Sequence, residues 1–258
     1  MTVARDLDDR LAIVTGASSG IGRSVAMLLA RRGARVVAVG RNRARLEELA
    51  ALHDGIVPQI ADLADPGSTD LVFDAATRLG AATILVCAAG LPGFTDRPVA
   101  SQSFEAWRAT MAVNLDSPFL MTRAIAPLIA AARWGRIVYV SSTAGQVGAP
   151  SMSAYCASKH GLIGLMRSVA CDVGHHGATA NAVCPGWVRT AMAEDDARWE
   201  AEQKGVSAEE IWRLRDASYP RGRVLTADEV AQTISFLASD AAAGINGEAV
   251  TVALGGLW

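Results

Sequence analysis

Short apolar runs rich in Val and Ile recur along the chain, separated by stretches whose apolar residues return every three to four positions. The runs fall at 11–15, 35–39, 55–60, 83–87, 136–141, 179–184 and 249–252. Several are apolar at consecutive rather than alternate positions, the pattern of a strand covered on both faces. Between them, 21–32, 43–52, 68–79, 104–113, 115–133, 154–173 and 228–237 read as helices. Strand and helix in alternation imply right-handed crossovers and a parallel sheet. The pattern predicts an α/β fold: a doubly wound sheet of seven parallel strands with helices on both faces. No linker or composition break divides 1–258, so a single domain is expected.

The rhythm breaks once. Between the sixth and seventh strands, 190–223 holds two more helical patterns, 193–203 and 208–217, with Trp199, Trp212 and Tyr219. A long excursion beside a sheet edge is often a lid over a substrate pocket. The alternative is that these aromatics only pack the lid helices down.

Composition narrows the classes. The chain is 51% hydrophobic and 19% charged, which excludes disorder. A net charge of −2 gives no basic surface, so nucleic acid is not an expected partner. Cys87, Cys156, Cys171 and Cys184 form no CxxC pair and have no His at ligand spacing, so reduced thiols and no metal are expected. No apolar run approaches the ~18 residues of a membrane helix. Residues 1–10 carry Asp6, Asp8 and Asp9 and no apolar core, unlike a signal peptide. A soluble, cytoplasmic protein is the expectation. Of 24 basic residues, all but Lys159 and Lys204 are arginine, and there are three tyrosines.

Two features carry candidate chemistry. The first strand runs into Thr15, Gly16, Ala17, Ser18, Ser19, Gly20, Ile21 and Gly22, then a helix. Glycines let the backbone turn tightly against a ligand, and a helix N-terminus suits a pyrophosphate. Further on, Tyr155 and Lys159 stand four apart on one helix and so share a face. A free tyrosine, with a pKa near ~10, is a poor proton carrier at neutral pH. A neighbouring ammonium stabilises the phenolate and makes Tyr155 a usable acid or base.

The glycine spacing is GxxxGxG. With it come Cys87-Ala88-Ala89-Gly90 after the fourth strand, Asn114, Ser142 after the fifth, Tyr155-Cys156-Ala157-Ser158-Lys159, then Pro185-Gly186 and Thr190 after the sixth. This ordered series, spanning 11–256, resembles the short-chain dehydrogenase/reductase family. Cys87 departs from it, standing where the family usually has Asn. The resemblance implies a Rossmann-type fold and a nicotinamide cofactor held by Gly16, Ser18, Ser19, Gly20, Ile21, Gly22, Asp62, Leu63, Ala88, Ala89, Gly90, Pro185, Gly186, Val188 and Thr190, with Tyr155 and Lys159. It implies that Tyr155 exchanges a proton with the substrate oxygen, which Ser142 holds. Lys159 would bond the nicotinamide ribose, and Asn114 would hold a water that connects Lys159 to solvent. It further implies a homo-oligomer, tetramer or dimer. The helices at 115–133 and 154–173, apolar nearly all round, agree with burial against a partner subunit.

The second strand bears on the dinucleotide. An NAD enzyme places a carboxylate near its end to hold the ribose 2′-OH. Here Gly40 takes that place and Arg41 follows. A guanidinium binds a 2′-phosphate that a carboxylate would repel, so NADP(H) is expected. Gln146, Phe94, Trp187, Trp199 and Trp212 are expected around the substrate. Stretches around Tyr155, Asn181 and Leu91 resemble ketoreductases of fatty-acid and polyketide pathways. The expected reaction is therefore NADPH-dependent reduction of a 3-oxoacyl or polyketide-type carbonyl. A free cyclic, aromatic or steroid ketone or alcohol is the alternative. A cofactor-sensing protein with a dead site is less favoured, because such proteins lose the Tyr or the Lys. A carrier-bound acyl thioester needs a basic entrance patch. Arg189, Arg198, Arg213, Arg215, Arg221 and Arg223 could form one, but Glu194, Asp195, Asp196, Glu200 and Glu202 stand among them.

Overall fold

A computed structural model describes residues 5–92 and 98–256. The chain runs β1 (Leu11–Thr15), α1 (Gly20–Arg31), β2 (Arg35–Gly40), α2 (Arg43–Ala51), β3 (Ile56–Ile60), α3 (Ser68–Thr77), β4 (Ala82–Cys87), α4 (Phe104–Met111) and α5 (Ser117–Ala132). It continues through β5 (Gly135–Val140), α6 (Ser153–Gly174), β6 (Ala178–Pro185), β7 (Val188–Arg189), α7 (Ala191–Lys204), α8 (Ala208–Ala217), β8 (Leu225–Thr226), α9 (Ala227–Leu237) and β9 (Ala249–Val252). Seven strands form one sheet in the order β3-β2-β1-β4-β5-β6-β9, with every pair parallel. The short β7 and β8 pair separately.

The two faces of the sheet explain the consecutive apolar runs. In β1, Ala12 and Val14 pack toward Val25 and Leu29 of α1 and Val230 and Ile234 of α9. Leu11 and Ile13 face the opposite layer, with Met121 and Ile125 of α5 and Leu162 and Met166 of α6. Both side-chain sets of the strand are therefore buried, as the pleat requires in a doubly covered sheet.

One element is not as the periodicity predicts. The helices expected at 104–113 and 115–133 are not separate: residues 112–116 form a π-helical turn that joins α4 to α5. Val113 and Asn114 are buried in that turn. A π turn inserts an extra residue per turn, so the face the helix presents rotates at this point. Among the described residues, no helix is long and apolar enough to cross a membrane.

The excursion after β6 folds as α7 and α8, joined by an apolar core and by a buried arginine. Arg215 is 7% exposed, donates to Asp196 (2.6 Å) and Glu200 (2.7 Å), and lies over the Trp187 ring at 3.8 Å. Lys204 joins the same set through Glu200, at 2.6 Å. It sits in the last turn of α7, where an ammonium also complements the helix dipole.

Candidate active site

The strand order reverses between β1 and β4, and a crevice opens beyond the carboxyl ends of these strands. The glycine turn forms its floor. Gly16 has φ +69°, and a Cβ there would stand 2.8 Å from the Ala88 backbone. A Cβ on Gly22 would stand 2.4 Å from the Gly16 carbonyl oxygen. Neither position admits a side chain without moving backbone, so the turn lies close against β4 and leaves its outer face open. Thr15 fixes the junction: its Oγ1 accepts from the Ala88 (3.0 Å) and Ala89 (3.1 Å) amides. At the start of α1, Ser19 occupies the capping position in extended backbone but makes no side-chain cap bond. The first-turn amides of α1 thus remain available to an anion.

A cavity of about 840 Å³ spans the crevice. Every residue expected at the cofactor lies on its wall, from Gly16 through Arg41, Asp62, Leu63 and Gly90 to Val188 and Thr190. Arg45, in the first turn of α2, is on the same wall, a residue the sequence reading missed. Among the described residues neither Arg41 nor Arg45 makes an ion pair. A Cβ on Gly40 would sit 3.2 Å from Ser18 Oγ, so the second strand ends tight against the glycine turn. The wall thus pairs a cradle of backbone with two exposed guanidiniums, a set of donors that fits a phosphate-bearing dinucleotide.

Ser142, Tyr155 and Lys159 converge on the same cavity. Ser142 follows β5, and its Oγ accepts from the Ala144 amide at 3.1 Å. Lys159 is 4% exposed; its Nζ donates to the Val140 carbonyl at 2.9 Å and lies 5.5 Å from the Tyr155 ring centroid. Ser141 Oγ donates to the Lys159 carbonyl at 3.0 Å, tying α6 to the end of β5. Burial lowers the Lys159 pKa to about 8, opposed by the nearby Cys184 and Cys87. Burial raises the Tyr155 phenol above its ordinary value, and the neighbouring Ser142 hydroxyl is the main effect opposing it. Desolvation is the larger effect, so Tyr155 is held as a protonated donor at neutral pH.

This arrangement has a pH consequence. A lowered Lys159 pKa means that the ammonium is present below about pH 8 and lost above it. kcat/KM for ketone reduction is expected to decline as pH rises through that value. A profile flat from pH ~7 to ~10 would contradict it.

Asn114 is fully buried and off the cavity wall. Its Oδ1 accepts from the Leu91 amide (2.8 Å), and its Nδ2 donates to the Leu91 carbonyl (2.9 Å) and Ser158 Oγ (3.1 Å). The side chain is thus spent on tying the loop after β4 to α6, directly beside Lys159. Any water relay at Asn114 is left to its backbone.

The substrate residues divide. Trp187 and Trp199 are on the cavity wall. Trp212 is not: it is 5% exposed, donates from Nε1 to Glu194 (2.8 Å), and packs against Arg189 and Arg215. It serves the lid's own core, because α8 docks with that face against α7. Gln146 is exposed, accepts from Thr251 Oγ1 (3.0 Å), and also stands off the wall. Phe94 lies outside the described residues. The sequence reading missed Met152, Met192 and Asp195, all on the wall. Met192 was the most findable, two residues past Thr190 in the first turn of α7.

Four of the six arginines considered for an entrance patch are paired with nearby acids. Arg198 meets Asp195, Arg213 meets Glu210, Arg215 meets Asp196 and Glu200, and Arg223 meets Glu229. Among the described residues, no three His, Cys, Asp or Glu side chains gather as metal ligands would.

The family model described as Enoyl-(Acyl carrier protein) reductase matches residues 16–256. A D-beta-hydroxybutyrate dehydrogenase of Rhizobium meliloti is 35% identical over 251 residues, covering 94% of this chain and 96% of that protein. A 3-oxoacyl-[acyl-carrier-protein] reductase of Rickettsia felis is 32% identical over 248 residues, covering 96% of each. Among solved structures, an actinorhodin polyketide ketoreductase variant with NADPH superposes with a TM-score of 0.91 at 31% identity, over 99% of this chain and 98% of that one.

Proposed function

The chain belongs to the short-chain dehydrogenase/reductase family, whose members exchange hydride between a nicotinamide cofactor and a CH–OH or carbonyl group; from that premise we propose that it is an NADPH-dependent reductase of a 3-oxoacyl or polyketide-type ketone. The observation that carries the reading is the convergence of Ser142, Tyr155 and the buried Lys159 on the wall of one cavity with a glycine cradle.

When bound, NADPH supplies the hydride that the carbonyl carbon accepts. Ser142 and Tyr155 hold the carbonyl oxygen by hydrogen bonds, and the Tyr155 hydroxyl gives up its proton as that oxygen gains charge. Lys159, already fixed to the Val140 carbonyl, places a positive charge where the phenolate forms. Its Nζ also lies 3.6 Å from where a Cβ on Gly90 would be, so Lys159 would hold the nicotinamide ribose of a dinucleotide bound beside that glycine. Asn114 and Thr15 act as positioning residues, one for the loop after β4 and one for the β1–β4 junction.

NADP(H) is favoured over NAD(H) by the missing carboxylate at Gly40 and by Arg41 and Arg45 on the wall. Paired lid arginines favour a free substrate over a carrier-bound one, which keeps a cyclic, aromatic or steroid ketone as the second reading. A cofactor sensor without turnover would have no need of Ser142, Tyr155 and Lys159 together. The test is oxidation of NADPH and NADH with a panel of ketones. At least tenfold higher kcat/KM with NADPH is expected, about 1.4 kcal/mol of preference. Preference for NADH, or no turnover of any ketone, overturns the reading. We further propose a homo-oligomer acting in the cytoplasm, where the free Cys87, Cys156, Cys171 and Cys184 stay reduced. A light-scattering mass equal to one 26.9 kDa chain would contradict the oligomer.

A further inference from the structure

The strand order separates the two ends of the cavity. Arg41 and Arg45 stand beyond β2, on one side of the β1–β4 crevice; Ser142, Tyr155, Met152 and the lid helix α7 stand on the other. Cation and apolar surface are divided between these ends. At the lid end the wall carries Met152, Trp187, Met192 and Trp199, with Met192 43% and Trp199 37% exposed. Large apolar side chains open to a cavity mark the place where an apolar ligand removes water.

The charges at this end are acidic. Asp195 and Asp196 are both on the wall. Asp196 is bound by Arg215, and Asp195 by Arg198, neither of which reaches the cavity wall. Among the described residues, the only cation on the wall at this end is Lys159, and its Nζ is bonded to Val140 behind Tyr155. Among the described residues, no free cation on this part of the wall would meet a substrate carboxylate, which would lie among thioether, indole and carboxylate neighbours.

Resting on the ketone-reductase reading above, we propose that the substrate is a neutral ketone with a bulky cyclic or aryl body. That body lies against Met152, Met192 and Trp199. The two aspartates, and the lack of a free cation among the described wall residues at this end, disfavour a free 3-oxo acid against its neutral esters. The lid end thus sets this chain apart from a relative such as the hydroxybutyrate dehydrogenase, whose substrate carries a carboxylate.

Three probes decide it: 3-oxobutanoate, its ethyl ester, and 2-tetralone as a bicyclic neutral ketone. With NADPH, kcat/KM for the ester is expected to exceed that for the acid by at least about a hundredfold, and tetralone to match or exceed the ester. Asp195→Asn should raise the acid-to-ester ratio several-fold, and more at low than at high salt, because Asp195 is solvent-exposed. Trp199→Ala should lower kcat/KM for tetralone about tenfold relative to the ester. Reduction of the acid as well as the ester, or an acid-to-ester ratio unmoved in Asp195→Asn, overturns this inference and leaves the reductase reading standing. Failure of every ketone with both cofactors overturns the reductase reading, and this inference with it.

Discussion

Tyr155→Phe is expected to lower kcat for ketone reduction by about 10²–10⁴-fold, the contribution a positioned proton donor makes, equivalent to about 3–5 kcal/mol of barrier. The substitution keeps the ring and removes one oxygen, so packing on α6 is preserved. Lys159 does not depend on that oxygen, because its Nζ is anchored to the Val140 carbonyl and its backbone carbonyl accepts from Ser141. Cofactor affinity, read by quenching of tryptophan fluorescence, should therefore stay within a few-fold of wild type. Ser142→Ala should cost less, since it removes a hydrogen bond to the oxygen but not the proton source. Turnover of the Phe variant within tenfold of wild type would mean that another group supplies the proton. The same phenol explains why the effect belongs to kcat. Burial holds Tyr155 protonated in the free protein, and its proton is needed only as charge develops on the substrate oxygen.

The strands were legible because burial on both faces leaves a mark in composition: Leu11, Ala12, Ile13 and Val14 are apolar in succession, and each side of β1 has its own core. Tyr155 and Lys159 were legible because four residues on a helix is a geometric statement as well as a pattern. The π turn at Asn114 was not. Its residues, Ala112 to Asp116, continue the helical pattern on both sides, so no period in the sequence announces the extra residue. Trp212 and Gln146 went astray for a similar reason. Which face α8 turns toward the cavity is decided by Arg215 reaching Asp196 and Glu200, contacts 19 and 15 residues apart along the chain. The lid's arginines and acids are evenly mixed in sequence, and only the fold shows which ones cancel. Lys204, one of two lysines, has a local role once Glu200 is seen to bridge it to Arg215.

Arg41→Asp carries the second large effect, a collapse of cofactor preference. In the wild-type chain Arg41 stands exposed on the cavity wall without an ion pair among the described residues, four residues before Arg45 on the same wall. Against a 2′-phosphate it would contribute charge-assisted, paired hydrogen bonds. Aspartate removes that attraction and sets a carboxylate against a phosphate, while offering a ribose 2′-OH the acceptor that NAD sites use. Loss of about 3 kcal/mol corresponds to roughly a hundredfold in kcat/KM for NADPH, with NADH unchanged or improved. Because the site is open to solvent, the change should shrink as salt rises, the signature of an electrostatic cause rather than a folding one. Arg45 on the same wall can still meet the phosphate and caps the loss, so Arg41→Asp combined with Arg45→Ala should lose more than the two single losses added together. Gly40→Asp is the less clean route to the same end: its Cβ would meet Ser18 Oγ at 3.2 Å and disturb the turn that both dinucleotides share. Equal losses for NADPH and NADH in Arg41→Asp would place this arginine outside cofactor recognition altogether.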